Sequence, residues 1–433
     1  MNSDVLLNII DGSYLNKGTK RKINDIKIDS RKINKNDAFI ALKGSNFDGH
    51  DYIKDAIKRK ASVIVVDKKI DIKTNVPIIL VEDTYESLMK IGTFFRSKYD
   101  IPVIGITGSC GKTTTKELIY TILSKKYKVL KNEKNYNNHI GIPLTLTKLN
   151  NTYNICVLEM GMNHFGEISK LSNVVKPTIG IITNIGTSHI GNLGSKKNIL
   201  KAKMEILDGM NDGLLIINNE NKLLKKIKYS NIIRCGKELK PYCISVNDKV
   251  SFELVINNEV HKFEYNSINK DLIMDFVLAI QIGLLFDIDI ADIKEILRNY
   301  SMPENRMNII NKGTTKIIND CYNSSLESVK ASLNSIKNDK NKIIILGDIL
   351  ELGDYTIKIH KEIGKLLTKI KDKQVLLVGE NVKYIKNKNY KYFDNNNELI
   401  NYIKKINLSN TTILIKGSRK MHLEEITEYI LNN

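Results

Sequence analysis

The chain has 433 residues, of which 42% are hydrophobic and 27% are charged. This length exceeds what one ordinary hydrophobic core holds, so two or three domains are predicted. The formal net charge of +19 would suit nucleic acid or an anionic substrate. The lysines are scattered among asparagines and isoleucines without a dense basic block, so we expect no nucleic-acid partner.

The first residues and the cysteines indicate the compartment. The N-terminal stretch lacks the basic start and long apolar core of a signal peptide, and no apolar run is long enough to cross a bilayer. The five cysteines form no CxxC pair and have no regular spacing, as is typical of reduced thiols. We therefore expect a cytoplasmic protein with no membrane span.

Residues 1–98 form a unit of their own by pattern. Strands are predicted at 62–66 and 78–81, and a short helix at 51–60. Two polar loop signatures lie before these elements. Spacing alone favours the interpretation that these residues form ordinary turns. The alternative is that they form a binding site for a small anion. The candidates for that site are Ser30, Arg31, Lys43 and His50.

The segment 101–115 carries the clearest chemical signal. A β-favouring run leads into a glycine-rich loop, and apolar residues then recur at helical spacing. Such a strand, loop and helix turn backbone N–H groups towards one point, where phosphate binds. Lys112 adds a mobile positive charge, and the Thr113 hydroxyl is placed to ligate Mg²⁺. Ile106 stands where the strict pattern has glycine, so the loop is a shortened variant. The candidate ATP-binding residues of this loop are Thr107, Gly108, Ser109, Cys110, Gly111, Lys112, Thr113 and Thr114.

Residues 99–300 alternate strands and helices, which predicts a mainly parallel sheet. An amide-rich loop after the phosphate loop contains Asn137 and Asn138. Such a loop usually satisfies its own hydrogen bonds, but its place near the phosphate loop makes substrate contacts possible. The next strand, 155–158, delivers Glu159 at its carboxyl end, where ligands of an open α/β sheet bind. A carboxylate there can hold Mg²⁺ directly or through water.

Two further residues of this region have alternative interpretations. His189 follows a strand at 179–183 and is either a hydrogen-bonded structural residue or a ligand at the same sheet edge. Residues 200–207 predict a helix with Lys201 and Glu205 at i,i+4 spacing. Spacing alone makes Lys203 a solvated surface lysine.

A third α/β unit follows a predicted hinge at 302–306. Its strands are predicted at 343–346, 375–378 and 413–415, and each ends in small or polar residues. Because these ends meet at one sheet edge, that edge is a candidate second binding face.

These motifs resemble those of the Mur ligases, ATP-dependent amide-forming enzymes of peptidoglycan precursor synthesis. The resemblance spans nearly the whole chain and depends on the phosphate loop and on the runs at 135–141, 320–323 and 347–353. It is strongest to the members that add D-alanyl-D-alanine to UDP-N-acetylmuramoyl-tripeptide. The Asp-Asn-Pro-Arg-type box of the diaminopimelate-adding members is absent.

The resemblance implies a three-domain α/β fold. Residues 1–98 would bind the UDP-linked substrate. Residues 99–300 would be the central phosphate-loop ATPase domain with a mainly parallel sheet. Residues 301–433 would form a Rossmann-like domain that binds the amino substrate. The implied protein is a monomer.

The implied reaction is ADP-forming amide ligation. ATP phosphorylates the tripeptide carboxylate, and the amine of D-alanyl-D-alanine attacks the acyl phosphate. Two Mg²⁺ ions would take part, one held by Thr113 and Glu159, the other by His189 and Lys203. Lys203 would be carbamylated, because an ammonium repels Mg²⁺ whereas CO₂ addition creates an anionic oxygen ligand. The implied catalytic residues are Lys112, His189, Lys203 and Asp320, and Arg306 and Asp320 would also contact ATP.

The remaining implied contacts concern the substrates. The UDP-linked substrate would be bound by residues from the first two domains, which are Ser30, Arg31, Lys43, His50, Asn137, Asn138 and His164. In the third domain, we expect Lys416, Ser418 and Arg419 to contact the tripeptide or the transition state on closure.

Some positions depart from the family pattern. Cys110 stands where relatives commonly carry Asn, and Asn319 replaces the first residue of an Asp-Asp pair. Asp271 and Asp275 replace the histidine and the second asparagine of a His-Asn-x-x-Asn box on the base side of the nucleotide. Two other functions remain to be weighed: a ligase of the same family that adds a different amino acid, and a non-catalytic nucleotide-binding module.

Overall fold

The computed structural model of the chain describes residues 1–247 and 249–433. The first part contains one sheet and three helices, which are α1 (Ser3–Ile9), β1 (Ser13–Asn16), β2 (Ile26–Lys27), β3 (Ala38–Ile40), α2 (Ile53–Lys58), β4 (Val63–Val66), β5 (Ile78–Leu80) and α3 (Thr84–Ser97). The strand order is β1-β5-β4-β3-β2, and only the pair of β1 and β5 is antiparallel. Every residue of β4 is buried, as is typical of a strand inside a parallel sheet.

The second part is built around a sheet of six parallel strands. Its first elements are β6 (Val103–Thr107), α4 (Lys112–Leu123), β7 (Val129–Lys131), α5 (Gly141–Leu146), β8 (Ile155–Glu159), α6 (Glu167–Val175), β9 (Ile179–Ile182), α7 (Ile190–Leu193), α8 (Lys196–Met204), β10 (Leu214–Asn218) and β11 (Ile232–Cys235). The order β11-β10-β9-β6-β8-β7 places β6, which leads into the phosphate loop, between β8 and β9. The carboxyl ends of these three strands therefore lie side by side.

A small antiparallel sheet and two helices complete the second part, which are β12 (Tyr242–Val246), β13 (Val250–Ile256), β14 (Glu259–Tyr265), α9 (Ile273–Leu285) and α10 (Ile290–Asn299). Tyr265 of this sheet stacks on Phe276 of α9, with ring centroids 3.9 Å apart. Helix α9 also packs against α4. The small sheet thus supports the helices behind the phosphate loop.

The third part contains β15 (Asn308–Lys312), β16 (Thr315–Asn319), α11 (Leu326–Ser335), β17 (Lys342–Gly347), α12 (Thr356–Thr368), β18 (Lys373–Val378), β19 (Lys391–Phe393), α13 (Asn396–Ile403), β20 (Thr412–Lys416) and α14 (Glu424–Asn432). Its sheet order is β15-β16-β20-β17-β18-β19, and only β15 is antiparallel to its neighbour. The ends of β16 and β20 carry residues 320 and 416 to the same edge.

Each strand that the sequence predicts is observed, with ends that differ by one or two residues, whereas the other strands, including the whole small antiparallel sheet β12–β14, were not predicted. The helix predicted at 51–60 begins as a 3₁₀ turn, Gly49–Tyr52, and continues as α2. Together the three parts form a three-domain α/β protein with mainly parallel sheets. Across the residues described, no helix has the length and apolar character that crossing a membrane requires.

The helix predicted at 200–207 is wrong in its extent. Helix α8 ends at Met204, and Glu205 begins a 3₁₀ turn. The Glu205 carboxylate accepts hydrogen bonds from the backbone N–H groups of Gly166 at 2.9 Å and Ser169 at 3.2 Å. Glu205 therefore caps α6 and does not pair with Lys201, because side chains four apart face each other only within a continuous helix.

Candidate functional site

A cavity of about 630 Å³ lies at the carboxyl edge of the central sheet and reaches the third sheet. The phosphate loop forms its floor. The amide-rich loop, the start of α9, the hinge and the start of α11 form its walls. It brings together most of the candidates from the central and third domains, which are Ser109, Cys110, Gly111, Lys112, Thr113, Thr114, Asn137, Asn138, Glu159, His189, Arg306, Asp320 and Lys416.

The phosphate loop requires glycine at two positions. Gly108 has a φ of +155°, and a Cβ there would lie 1.9 Å from Oγ1 of Thr183. Gly111 has a φ of +83°, and a Cβ there would lie 2.3 Å from Oδ1 of Asp275. No side chain caps the first turn of α4, so its backbone N–H groups are available to an anion.

Asn184 holds the phosphate loop in place. Its carbonyl accepts a hydrogen bond from the Ser109 N–H at 3.0 Å, and its Oδ1 accepts one from the Cys110 N–H at 2.9 Å. Lys112 Nζ donates to the carbonyl of Gly108 at 2.8 Å, so the lysine lies over its own loop. Sequence reasoning did not select Asn184, although its place directly after a strand at this edge was the available signal.

Glu159 lies at the end of β8 and is buried, with 3% of its surface exposed. Its Oε2 accepts from the Thr113 hydroxyl at 2.8 Å, and its Oε1 accepts from Asn137 Nδ2 at 2.8 Å. Asn132, which the sequence analysis missed, bonds to both backbone groups of Glu159 at 2.9 and 3.0 Å. A buried carboxylate is thus held by neutral donors next to a hydroxyl. This arrangement fits Mg²⁺, which takes few protein carboxylates and completes its shell with water and phosphate oxygens.

His189 and Lys203 supply the other predicted metal ligands. His189 Nδ1 is buried and lies 2.7 Å from Oε2 of Glu351, without the alignment of a hydrogen bond. Lys203, which spacing alone would place at the surface, is only 1% exposed. Burial, with Lys112 as a second cause, holds the pKa of Lys203 well below its usual value. Within the described part of the chain, no three His, Cys, Asp or Glu side chains form a metal cluster, so any Mg²⁺ here needs other oxygens.

The third domain contributes a buried ion pair to the cavity. Lys416 Nζ lies 2.7 Å from Oδ2 of Asp320, which also accepts from the Ser332 hydroxyl at 2.6 Å. Arg306 of the hinge donates to the Thr113 hydroxyl at 3.1 Å and lies over the Tyr322 ring, 3.9 Å from its centroid. Hinge, third domain and phosphate loop therefore meet at one point.

Two candidates of the third domain do not line this cavity. Ser418 is buried, and its hydroxyl accepts from the Leu350 N–H at 2.9 Å. Arg419 pairs with Glu424 at 2.7 Å and lines a neighbouring cavity at the hinge. Their side chains support the loops around the site in this structure.

The first-domain candidates also lie outside the cavity. Ser30 is buried, while Arg31 is exposed and pairs with Asp29 at 2.9 Å. The two ring nitrogens of His50 contact Asp48 at 2.6 Å and Asp67 at 3.2 Å, so this histidine is held within the protein.

One aromatic contact connects the first domain to the cavity. The carbonyl of Lys43 accepts from the Tyr85 hydroxyl at 2.8 Å, and the Tyr85 ring lies 5.3 Å from the ring of His139, which lines the cavity. The amide-rich loop thus joins the two domains. His164, by contrast, is exposed beside Glu167 and does not line the cavity.

Asp275 is half-buried, and its carboxyl group packs against Gly111 of the phosphate loop. Burial raises the pKa of Asp275 from 3.8 to about 7. The folded state therefore binds more protons than the unfolded state between about pH 4 and pH 7. Stability from this group is present at low pH and is lost as the pH rises through that window.

We expect Asp275→Asn to be more stable than the parent at pH 8, because an amide never has to ionise in this half-buried place. The gain in the free energy of unfolding should be about 1–4 kcal/mol and should vanish near pH 4. Urea denaturation at both pH values measures it. Asp287→Asn, at an exposed aspartate, is the control. An unchanged pH slope in Asp275→Asn would contradict the assignment.

Three family models match the chain. The model described as the Mur ligase family catalytic domain matches residues 22–93, the Mur ligase middle domain matches 106–282, and the Mur ligase glutamate ligase domain matches 305–419.

Curated relatives match almost the full length. A Rickettsia prowazekii protein named UDP-N-acetylmuramoyl-tripeptide--D-alanyl-D-alanine ligase is 33% identical, over 94% of this chain and 95% of the relative. A Bacillus subtilis protein of the same name is 33% identical, over 95% of this chain and 94% of the relative. A crystal structure of MurF from Acinetobacter baumannii superposes with a TM-score of 0.92 at 28% identity, covering 100% of this chain and 98% of the other.

Proposed function

The chain belongs to the Mur ligase family, and we propose that it is the member that joins D-alanyl-D-alanine to UDP-N-acetylmuramoyl-tripeptide. It is an ATP-dependent, ADP-forming ligase of peptidoglycan precursor synthesis. The observation that carries this proposal is the similarity, over 94% of the chain or more, to relatives named for that reaction. The same similarity disfavours both a different amino-acid specificity and a non-catalytic module.

The reaction needs charge neutralisation and alignment rather than a protein nucleophile. A carboxylate oxygen of the tripeptide attacks the γ-phosphorus of ATP, and ADP leaves with the bond electrons. The amine of D-alanyl-D-alanine then attacks the acyl carbon, and the tetrahedral adduct loses phosphate and a proton to give the amide. Lys112 and the loop N–H groups are placed to hold the β- and γ-phosphates, and Arg306 lies beside Thr113 to meet the same charge.

Magnesium is the implied cofactor, and the residues present fit it. Thr113 and Glu159 would hold one ion, and His189 with Lys203 a second. When bound, Mg²⁺ supplies charge neutralisation between the phosphate groups. The hydrogen bond of 2.8 Å between the Thr113 hydroxyl and the buried Glu159 carboxylate supports the first site more directly than any observation supports the second.

We also propose that Lys203 is carbamylated. Its amine is buried, and no carboxylate of the described chain neutralises it. An uncharged amine can attack CO₂ and release a proton, which yields an N-carboxylate. The resulting anion would fit the neighbourhood of Lys112, whereas a second ammonium there would be repelled.

The domains have separate tasks in this proposal, with boundaries at 98/99 and 300/301. Residues 1–98 bind the UDP moiety, with exposed Lys43 available to phosphate and His50 supporting the loops. Arg31 would meet phosphate by giving up its pairing with Asp29. Asn137 and Asn138 face the muramoyl peptide, and His164 lies farther along that path. Lys416, which is paired with Asp320, approaches the reacting carboxylate of the tripeptide. Ser418 and Arg419 shape the loop that follows Lys416. We expect the protein to act as a monomer in the cytoplasm.

A substrate-omission assay tests the function. Phosphate release should require ATP, UDP-N-acetylmuramoyl-tripeptide and D-alanyl-D-alanine together, and mass spectrometry should detect the pentapeptide nucleotide. Replacing the dipeptide with D-alanine or L-lysine is the control for a different specificity. Equal phosphate release with a single amino acid would contradict the proposed acceptor, and release without any acceptor would contradict ligation.

A further inference from the structure

The third domain holds a particular segment of the central domain, residues 186–196, which we call the His189 segment. It follows β9, includes α7, and ends at the first residue of α8, the helix that carries Lys203. The inference below rests on the proposed function, because it concerns how this segment is set for that reaction.

Glu327, in the first turn of α11, makes its side-chain hydrogen bonds to the described residues across the domain boundary. Its Oε2 accepts from the Thr187 N–H at 2.9 Å and from the Thr187 hydroxyl at 2.7 Å. Its Oε1 accepts from Lys196 Nζ at 2.8 Å. The carboxylate also lies so close to Gly186 that a Cβ there would be 2.9 Å from Oε2. One side chain of the third domain thus contacts both ends of the His189 segment.

A second contact region lies on the other side of His189. The carbonyl of Glu351 accepts from the Gly191 N–H at 3.1 Å, and the Tyr355 hydroxyl donates to the Gly194 carbonyl at 2.6 Å. Gly191 has no room for a side chain, because a Cβ there would lie 2.5 Å from the N atom of Gly353. Glu327 and the 351–355 turn therefore contact the His189 segment from two sides.

The backbone conformation of His189 explains why these contacts are needed. His189 has a φ of 61°, in the left-handed region, and Glu351 opposite it has a φ of 62°. A non-glycine residue pays a free-energy cost in this conformation and keeps it only where its surroundings enforce it. The Thr187 N–H and hydroxyl lie two residues before His189, so their bonds to Glu327 fix the approach to this strained position.

We infer that Glu327 is a positioning residue: by binding Thr187 across the domain boundary, it sets the His189 turn for ligation when the third domain is in place. Glu327 lines the cavity, but its carboxylate oxygens are bound to Thr187 and Lys196, so we assign it no direct part in the reaction. The ion pair with Lys196 is half-exposed, with 46% of the lysine side chain accessible, and exposed ion pairs contribute little. The bonds to Thr187 therefore carry the effect.

The test compares Glu327→Ala with Glu327→Gln. The amide oxygen of Gln can still accept from Thr187, whereas Ala cannot. With Ala, kcat should fall about 30- to 100-fold through misplacement of a catalytic turn, while KM for ATP changes less than about threefold, since the phosphate loop is untouched. With Gln, kcat should return to within about fivefold of the parent.

Two controls separate positioning from simple docking. Lys196→Ala breaks the ion pair without touching Thr187 and should change kcat less than about threefold. Glu362→Ala, at an exposed glutamate of α12, should change nothing. Thr187→Val removes the hydroxyl, and combined with Glu327→Ala it should cost no more than Glu327→Ala alone, because the two residues share one interaction.

Hydrogen–deuterium exchange gives a readout that does not depend on turnover. Amides of the His189 segment should exchange faster in Glu327→Ala than in the parent, Lys196→Ala and Glu362→Ala. Unchanged exchange, a kcat loss equal in Ala and Gln, or a loss of the same size in Lys196→Ala would each overturn the inference. If Glu327→Ala does not fold, Glu327→Gln and Thr187→Val carry the comparison. A parent enzyme that forms no product would refute the proposed function instead, while the exchange data would still decide whether Glu327 holds the segment.

Discussion

Lys112→Ala is expected to abolish ATP consumption, with a loss in kcat/KM of at least about 10³-fold. Lys112 is the first residue of α4 and the mobile cation of the phosphate loop. Among the described residues its amine bonds only to the carbonyl of Gly108, at 2.8 Å, so it is free to turn to a phosphate oxygen. The negative charge that develops during phosphoryl transfer would lose the cation that the phosphate loop itself supplies.

The fold should survive this substitution. Lys112 makes one hydrogen bond to its own loop, and the loop is held independently by Asn184 and Ser109. The melting temperature should therefore stay within about 2 °C of the parent, since small surface changes cost little. Coupled ADP detection measures the activity, and calorimetry measures nucleotide affinity.

Lys222→Ala provides the matched control, because Lys222 is an exposed lysine of the central domain and its removal should leave turnover unchanged. ATP consumption by Lys112→Ala at more than a tenth of the parent rate would contradict the role of the phosphate loop.

Lys203→Ala is expected to lower turnover about 100-fold or more, and added acetate or formate should restore part of it. The expected cause is the loss of the carbamate anion, for which a small carboxylate can substitute in the space left by the side chain. Rates measured with and without bicarbonate in CO₂-depleted buffer give an independent check, because only the parent should depend on bicarbonate.

The stability of this variant distinguishes the carbamate from a structural lysine. A buried amine without a carboxylate partner contributes no stability of its own and costs desolvation. Lys203→Met should therefore be as stable as the parent, or more stable, in CO₂-free buffer. Lys197→Ala, at an exposed lysine of the same helix, is the control for activity. Near-normal turnover of Lys203→Ala would refute the carbamate.

The sequence determined the elements whose physical causes are local. Buried strands such as Val63–Val66 and Ile155–Glu159 are continuous apolar runs, and their ends were predicted to within two residues. The phosphate loop was predicted because glycine, lysine and threonine follow a strand at a spacing that itself determines the backbone. The convergence of Thr113 and Glu159 followed from the rule that parallel strands end at one edge, and the two side chains lie 2.8 Å apart.

Only the tertiary structure decided the contacts between residues far apart in the chain. Spacing made Lys203 a surface lysine, yet packing buries it, since it lies on the same buried face of α8 as Ile199 and Ala202. Neither Glu327 nor Asn184 belongs to a motif, and their importance follows from partners about 140 and 74 residues away in sequence. A hydrogen bond between distant segments depends on how the domains pack. That packing is a property of the complete fold, so no local pattern in the sequence predicts it. For this reason the chemistry of the phosphate site was evident from the sequence, whereas the positioning of the residues around it was not.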